Sequence, residues 1–321
     1  MVAVQATTST LTADHFATDV APRWGDLDAQ GHVNNSLVAD YLQEARADFL
    51  MNGPNRHLLG GGVVVVAHQL EYLRPVEFTG APVRVELWPV KVGAARFELA
   101  YRATHEGHDV FQARTVLCPF DFERQHPRRL TADERTHFTS LLDDDLELRK
   151  LPLVHLEGRG HEFGFRVRWS DLDSYGHVNN VCFYDYLQEA RIALTTQADP
   201  SMARQGSIVD APEPMGPRRM WLVARQDVDY LAQMEHRAEG YVVRTGVAAL
   251  GNSSVTLAAE VVDPLHDQPH GGRVHARGRT VLVCADESGR PVPLAGASRA
   301  ALEALLVRSP NLSRGPSGLL A

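Results

Sequence analysis

Residues 23–46 read RWGDLDAQGHVNNSLVADYLQEAR, and residues 168–191 read RWSDLDSYGHVNNVCFYDYLQEAR. The two stretches align without a gap at an offset of 145, and 17 of their 24 positions are identical. Chance does not produce such a match, so the chain holds two copies of one ancestral unit. The repeat continues outward more weakly. VVAHQLEYL (65–73) matches VARQDVDYL (223–231) at an offset of 158, so the second copy carries 13 more residues between its helix and its next strand. They fall between Asp199 and Arg218, a Pro-, Gly- and Met-containing stretch that reads as a loop. Arg-Thr-Val-Leu recurs at 114–117 and 279–282, in the last predicted strand of each copy.

Each copy predicts the same order of elements. A short strand is expected to end at Trp24 or Trp169, followed by a turn-rich loop and a helix. Val38, Leu42, Ala45 and Phe49 form an apolar stripe at helical spacing, and Phe183, Leu187, Ala190 and Leu194 repeat it in register. Asn34 and Asn179 are placed to cap the helix starts. Four strands follow in each copy, at about 63–74, 82–92, 95–105 and 108–120, then at about 219–232, 239–249, 253–263 and 272–285. A helix followed by an antiparallel meander is an α+β layer arrangement. The expected layout is one domain over 14–142, a linker over 143–160, a second domain over 161–308 and a disordered Ser-, Gly- and Pro-rich tail over 309–321.

A chain of 321 residues accommodates two such domains, each able to bury its own core. Its 44% hydrophobic and 22% charged residues are those of a soluble globular protein. A net charge of −8 argues against nucleic acid or an anionic membrane as partner, because both select a basic face. Cys118, Cys182 and Cys284 lack CxxC spacing, so neither a disulfide framework nor a thiolate zinc site is expected. Met1 to Thr12 lacks the pattern of a signal peptide, and no apolar run approaches the ~20 residues that span a bilayer. The expected location is the cytoplasm, without membrane insertion.

The strand, D-x-D-x-x-G-H-V-N-N and DYLQEAR helix, followed by four strands, resemble the hotdog fold of the 4-hydroxybenzoyl-CoA thioesterase branch. That branch includes acyl-CoA thioesterases, and the motif is also similar to that of acyl-ACP thioesterases. The resemblance covers most of both halves. It implies two tandem hotdog domains, each a long helix on a curled antiparallel sheet, that form an internal pseudo-dimer, and further pairing of whole chains into a homodimer is open. It also implies an acyl-CoA or acyl-ACP substrate and neither metal nor redox cofactor.

Thioester hydrolysis needs an activated water or nucleophile, and donors where the oxyanion develops. A helix start supplies free N–H groups and partial positive charge. The resemblance assigns the catalytic carboxylate to Asp28 and Asp173, as general base or nucleophile, and carbonyl polarisation to the backbone around Asn35 and Asn180. His32 and His177 match the motif histidine that orients substrate or water, and the loop as a whole, with Gly31, Asn34, Gly176 and Asn179, is the expected substrate-binding segment. The acyl-ACP enzymes carry Asn two positions before that histidine, where this chain has Gln30 and Tyr175.

Other readings compete at each position. Asp26 and Asp171 are expected to organise the turn rather than to react. Gly31 and Gly176 serve backbone geometry. Glu44 and Glu189 are retained between copies, as are Asp40, Gln43 and Arg46 with their counterparts, and a solvated or interface face accounts for them better than catalysis does. Tyr41, Tyr72, Tyr186, Tyr230 and Trp221 are pocket or core aromatics, while Arg74, Arg96 and Arg225 are candidate cations for CoA phosphates. His105, His108, His266 and His270 lie near predicted turns and are expected to face solvent. A calcium loop starting at Asp26 fails, because its twelfth position is Leu37, or Cys182 in the second copy. The second functional reading is a non-catalytic acyl-CoA-binding protein, a sensor or scaffold. A hotdog dehydratase or hydratase would carry an Asp/His arrangement that is not found here.

Overall fold

The computed structural model describes residues 10–11, 15–143, 146–198, 219–266 and 272–307. The loop expected between Asp199 and Arg218, His270 and the tail over 309–321 lie outside these residues.

The first half runs β1 (Thr10–Leu11), β2 (Phe16–Val20), α1 (Val38–Asn52), α2 (His57–Gly61), β3 (Val63–Tyr72), β4 (Val83–Val92), β5 (Phe97–His105), β6 (His108–Asp121), β7 (His126–Pro127) and α3 (Ala132–Ser140). The second runs β8 (His161–Phe165), α4 (Cys182–Ala198), β9 (Met220–Tyr230), β10 (Tyr241–Leu250), β11 (Ser254–Asp263), β12 (Arg273–Ala285) and α5 (Gly296–Glu303). All eight long strands fall within two or three residues of the predicted bounds. The apolar stripe of α1 is buried along its length, from Val38 at 3% exposure to Leu42 and Ala45 at 0%. The stripe of α4 is buried in the same way, and each Leu or Phe so enclosed contributes about 1.5–3 kcal/mol.

The strands form one antiparallel sheet in the order β1-β2-β4-β5-β6-β3-β9-β12-β11-β10-β8, with β7 paired to β6. The two halves are joined where β3 meets β9, with Ala67 opposite Asp229, Gln69 opposite Asp227 and Glu71 opposite Arg225. Gln69 and Asp227 are counterparts in the repeat, so each cross-strand pair on one side of them recurs on the other. A single apolar cluster includes residues of both halves, among them Leu42, Leu70, Leu187 and Val228.

Two expectations need correction. The first strands stop at Val20 and Phe165, not at the tryptophans. Trp24 and Trp169 open 3₁₀ turns and are 76% and 77% exposed, because the turn is held from inside by Asp26 and Asp171 and the indoles are left outside. Further, His105 is buried rather than solvent-facing, with Nδ1 3.3 Å from the Pro82 carbonyl. Within the expected linker, Val154 and Leu156 are buried against Ala258, so this stretch packs on the second half.

Helix α3 was not anticipated, although its start carries a readable capping box, Thr131-Ala-Asp-Glu134. The Glu134 carboxylate, 1% exposed, accepts from Arg128 Nη2 at 2.7 Å, Arg128 Nη1 at 2.9 Å and the Thr131 N–H at 2.8 Å, and lies 2.7 Å from His57 Nε2. Burial pushes this carboxyl up, but the hydrogen bonds from Arg128, Thr131 and His57 outweigh it and hold the pKa at about 2. A carboxyl held below its unfolded value stabilises the fold above the unfolded pKa and loses that contribution as pH falls toward the folded one. Glu134→Gln is therefore expected to cost on the order of 3 kcal/mol at neutral pH. Chemical denaturation of both proteins should show the difference shrinking between about pH 4.5 and pH 2.

Candidate active site

The two D-x-D loops are built alike. Asp26 Oδ2 accepts from the Arg23 N–H at 2.8 Å and from the Tyr41 hydroxyl at 2.7 Å, while Oδ1 accepts from Arg23 Nε at 2.9 Å. Asp171 repeats this with Arg168 and Tyr186. Both carboxylates are buried and fully engaged, so they hold the turn, and Tyr41 and Tyr186 are core residues that serve it. Downstream, the Asp28 N–H donates to the His32 carbonyl at 2.8 Å and the Gly31 N–H to the Asp28 carbonyl at 3.0 Å. The second loop has the corresponding bonds at 2.9 and 3.0 Å. Gly31 and Gly176 take φ of 81° and 79°, a left-handed conformation in which a side chain is strained.

Asp28 differs from Asp26 in what it leaves over. Its Oδ1 accepts from the Gln30 N–H at 2.8 Å and the His32 N–H at 3.4 Å, and among the described residues Oδ2 accepts nothing. Asn34 caps the following turn, its side chain accepting from the Ser36 N–H at 3.2 Å. Asn179 does the same for Val181 N–H at 3.5 Å. The Asn35 N–H is given no acceptor by the described residues and stands at the start of the turn that runs into α1. Its side chain donates to Gln226 Oε1 at 3.2 Å, and the Tyr72 hydroxyl lies 2.7 Å from both the Asn35 carbonyl and Gln226 Oε1. One end of the helix start is thus pinned by the other half of the chain.

These residues line a cavity of about 610 Å³. The first half contributes Asp28, Gln30, His32, Asn34, Asn35, Tyr72 and Arg74. The second half contributes Gln188, Arg191 and Thr195 of α4, Trp221 to Ala224 of β9, and Leu282 and Val283 of β12. The cavity therefore combines an unengaged carboxylate oxygen, an unengaged backbone N–H and an apolar wall. Arg191 is buried, which pulls its guanidinium down to about 10, still charged at neutral pH. Arg74 is exposed on the same rim.

The Thioesterase-like superfamily matches residues 22–147 and 167–304. The chain belongs to this superfamily. Three solved structures are similar over nearly their whole lengths. The 12:0-ACP thioesterase from Umbellularia californica is 16% identical, with a TM-score of 0.63 over 86% of this chain and 99% of that one. An acyl-ACP thioesterase from Bacteroides thetaiotaomicron is 12% identical, with a TM-score of 0.61 over 83% and 96%. A putative oleoyl thioesterase from Lactobacillus plantarum is 12% identical, with a TM-score of 0.64 over 88% and 98%. At such identities the likeness speaks for the fold, the hotdog thioesterase-like fold in two repeats. Uncharacterized protein YsmA of Bacillus subtilis is 33% identical over 92 residues, 28% of this chain, and the chain spans about half, 53%, of that relative's length.

Among the predicted residues of this thioesterase-like chain, Arg225 takes another place, whereas Glu44 and Glu189 keep the solvated face expected of them. Arg225 is buried and paired with Asp227 at 2.5 Å on β9, so it is not at a cavity mouth. Glu44 and Glu189 are exposed on their helices. Gln188, Arg191 and Thr195 went unread as lining residues. Their identity between copies at Gln43/Gln188 and Arg46/Arg191 was a visible signal, but not the pocket they reach.

The thioesterase-like halves also differ at the helix start. The counterpart of Gln226 is His68, which is buried with Nδ1 3.1 Å from the Tyr184 hydroxyl, and Tyr184 stands where the first half has Ala39. Among the described residues, Asn180 Nδ2 and His68 Nε2 have no hydrogen-bond partner. Burial, aided by the Arg46 charge, pulls the His68 pKa from 6.5 to about 3. A histidine depressed in this way leaves full stability above pH 6.5 and loses it as pH falls toward 3, because the unfolded chain takes up the proton first. His68→Gln, which installs the residue of the other half, is expected to narrow the drop in melting temperature between pH 7.5 and pH 5. An unchanged drop would contradict this account of His68.

Proposed function

We propose that the chain hydrolyses acyl-CoA or acyl-ACP thioesters to free carboxylic acid and thiol, acting as an internal pseudo-dimer with Asp28 as its catalytic carboxylate. The observation that carries this reading is the composition of the cavity. Asp28 and the Asn35 N–H come from one half, and the wall that would hold an acyl group comes from the other. The acyl thioesters named for the similar structures support the substrate class.

The thioester carbonyl sits toward the Asn35 N–H at the start of α1, where the positive end of the helix stabilises developing negative charge on oxygen. The Asp28 carboxylate either takes a proton from a water that attacks the carbonyl carbon or attacks that carbon itself. The carbon–sulfur bond then breaks; on the first route the leaving thiolate takes the proton from Asp28, and on the second it takes one from water. The second route ends when water hydrolyses the acyl-enzyme anhydride and frees Asp28. His32 orients substrate or water beside Asp28. Arg74 on the rim is the cation suited to the phosphates of CoA. Asp173, His177, Asn179 and Asn180 hold the same places in the second loop. Gln30 and Tyr175 replace the asparagine of the acyl-ACP enzymes, so no asparagine assists at that position.

Release of thiol from short, medium, long and aromatic acyl-CoAs, followed with a thiol-reactive dye, tests this reading. The wild type is expected to hydrolyse at least one class, and Asp28→Asn to lose about 100-fold or more of that rate. A folded wild type that binds acyl-CoA yet releases no thiol would identify a binding protein instead. A fully active Asp28→Asn would show that the carboxylate is another one.

A further inference from the structure

The repeat places the walls of the second site as surely as those of the first. Trp221 to Ala224 of the first cavity correspond to Val63 to Val66, and Leu282 and Val283 correspond to Leu117 and Cys118. Across this second cleft lies the ring of Tyr175, whose counterpart in the first cavity is Gln30. The Tyr175 hydroxyl donates to the Leu59 carbonyl at 2.7 Å, and the Val63 N–H donates to the same hydroxyl at 3.4 Å. The phenol thus runs from the D-x-D loop of one half to the first residue of the opposite wall, and both ends are fixed.

A second ring backs it. Phe122, in the turn after β6, packs on Tyr175 with centroids 4.6 Å apart and lies 5.9 Å from the ring of His177. The residue at the corresponding place in the other half is Glu287, which is exposed, as is Gln30. The backbone has made room for Phe122. A Cβ on Gly62 would fall 2.9 Å from its ring and 2.4 Å from the Phe120 carbonyl oxygen, and Gly62 adopts a φ of 106°. Its counterpart in the other half is Met220. Three positions, 62, 122 and 175, therefore differ from their counterparts at the first cavity, and all three serve one ring stack beside His177.

We propose that Tyr175 and Phe122 close the second site, so that substrate binds and turns over at the Asp28 site alone. For turnover this rests on the hydrolase reading, whereas closure concerns binding only. An acyl chain could enter beside Asp173 only by breaking the Tyr175–Leu59 hydrogen bond and re-exposing the stacked rings. Asn180 Nδ2, which has no partner among the described residues, fits a site released from the need to hold that side chain in place as Gln226 holds Asn35.

Isothermal titration with butyl-, octyl- and benzyl-CoA thioethers, which cannot be hydrolysed, counts the accessible sites per chain. Two opened chains are compared with the wild type, Phe122→Glu with Tyr175→Gln (the residues of the other half) and Phe122→Ala with Tyr175→Ala, each checked for an intact melting transition. An opened chain is expected to bind one more thioether than the wild type. In an Asp28→Asn background, opening is expected to raise thiol release, and Asp173→Asn to remove that gain. Closure is overturned if the wild type already binds two equivalents, or if correctly folded opened chains bind no more than it does. One equivalent bound by the wild type without thiol release from any acyl-CoA would end the hydrolase reading and still support closure.

Discussion

The rest of the molecule depends on the antiparallel pairing of β3 with β9. Each half, taken alone, would present one of these strands as an edge, with a row of unsatisfied N–H and C=O groups. Pairing them removes both edges and centres the register on Gln69 and Asp227, so that each half meets the other in the same way. That register brings α4 of the second half against the turn at Asn35–Leu37 of the first. It also carries Gln226 to within hydrogen-bond reach of Asn35 and Tyr72. A shift of one residue would turn every side chain on β9 to the opposite face and dissolve the cavity.

Within each loop, the two aspartates divide the work according to how completely they are satisfied. A buried carboxylate is tolerated only when hydrogen bonds replace its water. Asp26 has three donors, two of them from Arg23, and becomes a structural anchor. Asp28, half-buried, is supplied with backbone donors on one oxygen only, and its other oxygen has no donor among the described residues. The same loop thus satisfies one carboxylate completely and its neighbour in part.

Covalent linkage explains how the two sites could diverge. Two identical subunits must carry the same mutation in both sites, whereas a fused pair holds its partner at high effective concentration and is free to vary each half. Among the differences are Tyr175 for Gln30, Tyr184 for Ala39, His68 for Gln226 and Phe122 for Glu287. Each exchanges a small or flexible side chain for a ring. The result is a pair of loops with unlike surroundings, Gln30 lining the cavity in one and the Tyr175 ring bonded to Leu59 in the other.

Much of the fold was legible in the residues because it is set by near neighbours along the chain. Period-two and period-3.6 patterns placed the eight long strands and the two long helices, and an asparagine before an apolar stripe marked each helix start. The turn role of Asp26 and the positive φ of Gly31 follow from local chemistry as well. Even the missed helix α3 had its capping box in view at Thr131 and Glu134. Other features had no local signature. His105 looks like a turn residue until the Pro82 carbonyl is found against it. Arg191 becomes a cavity residue, and Tyr175 a bar across the opposite cleft, only once β3 has paired with β9. The placements of Arg191 and Tyr175 join residues more than a hundred positions apart, and their geometry is decided by sheet register and close packing, which no short stretch of sequence encodes.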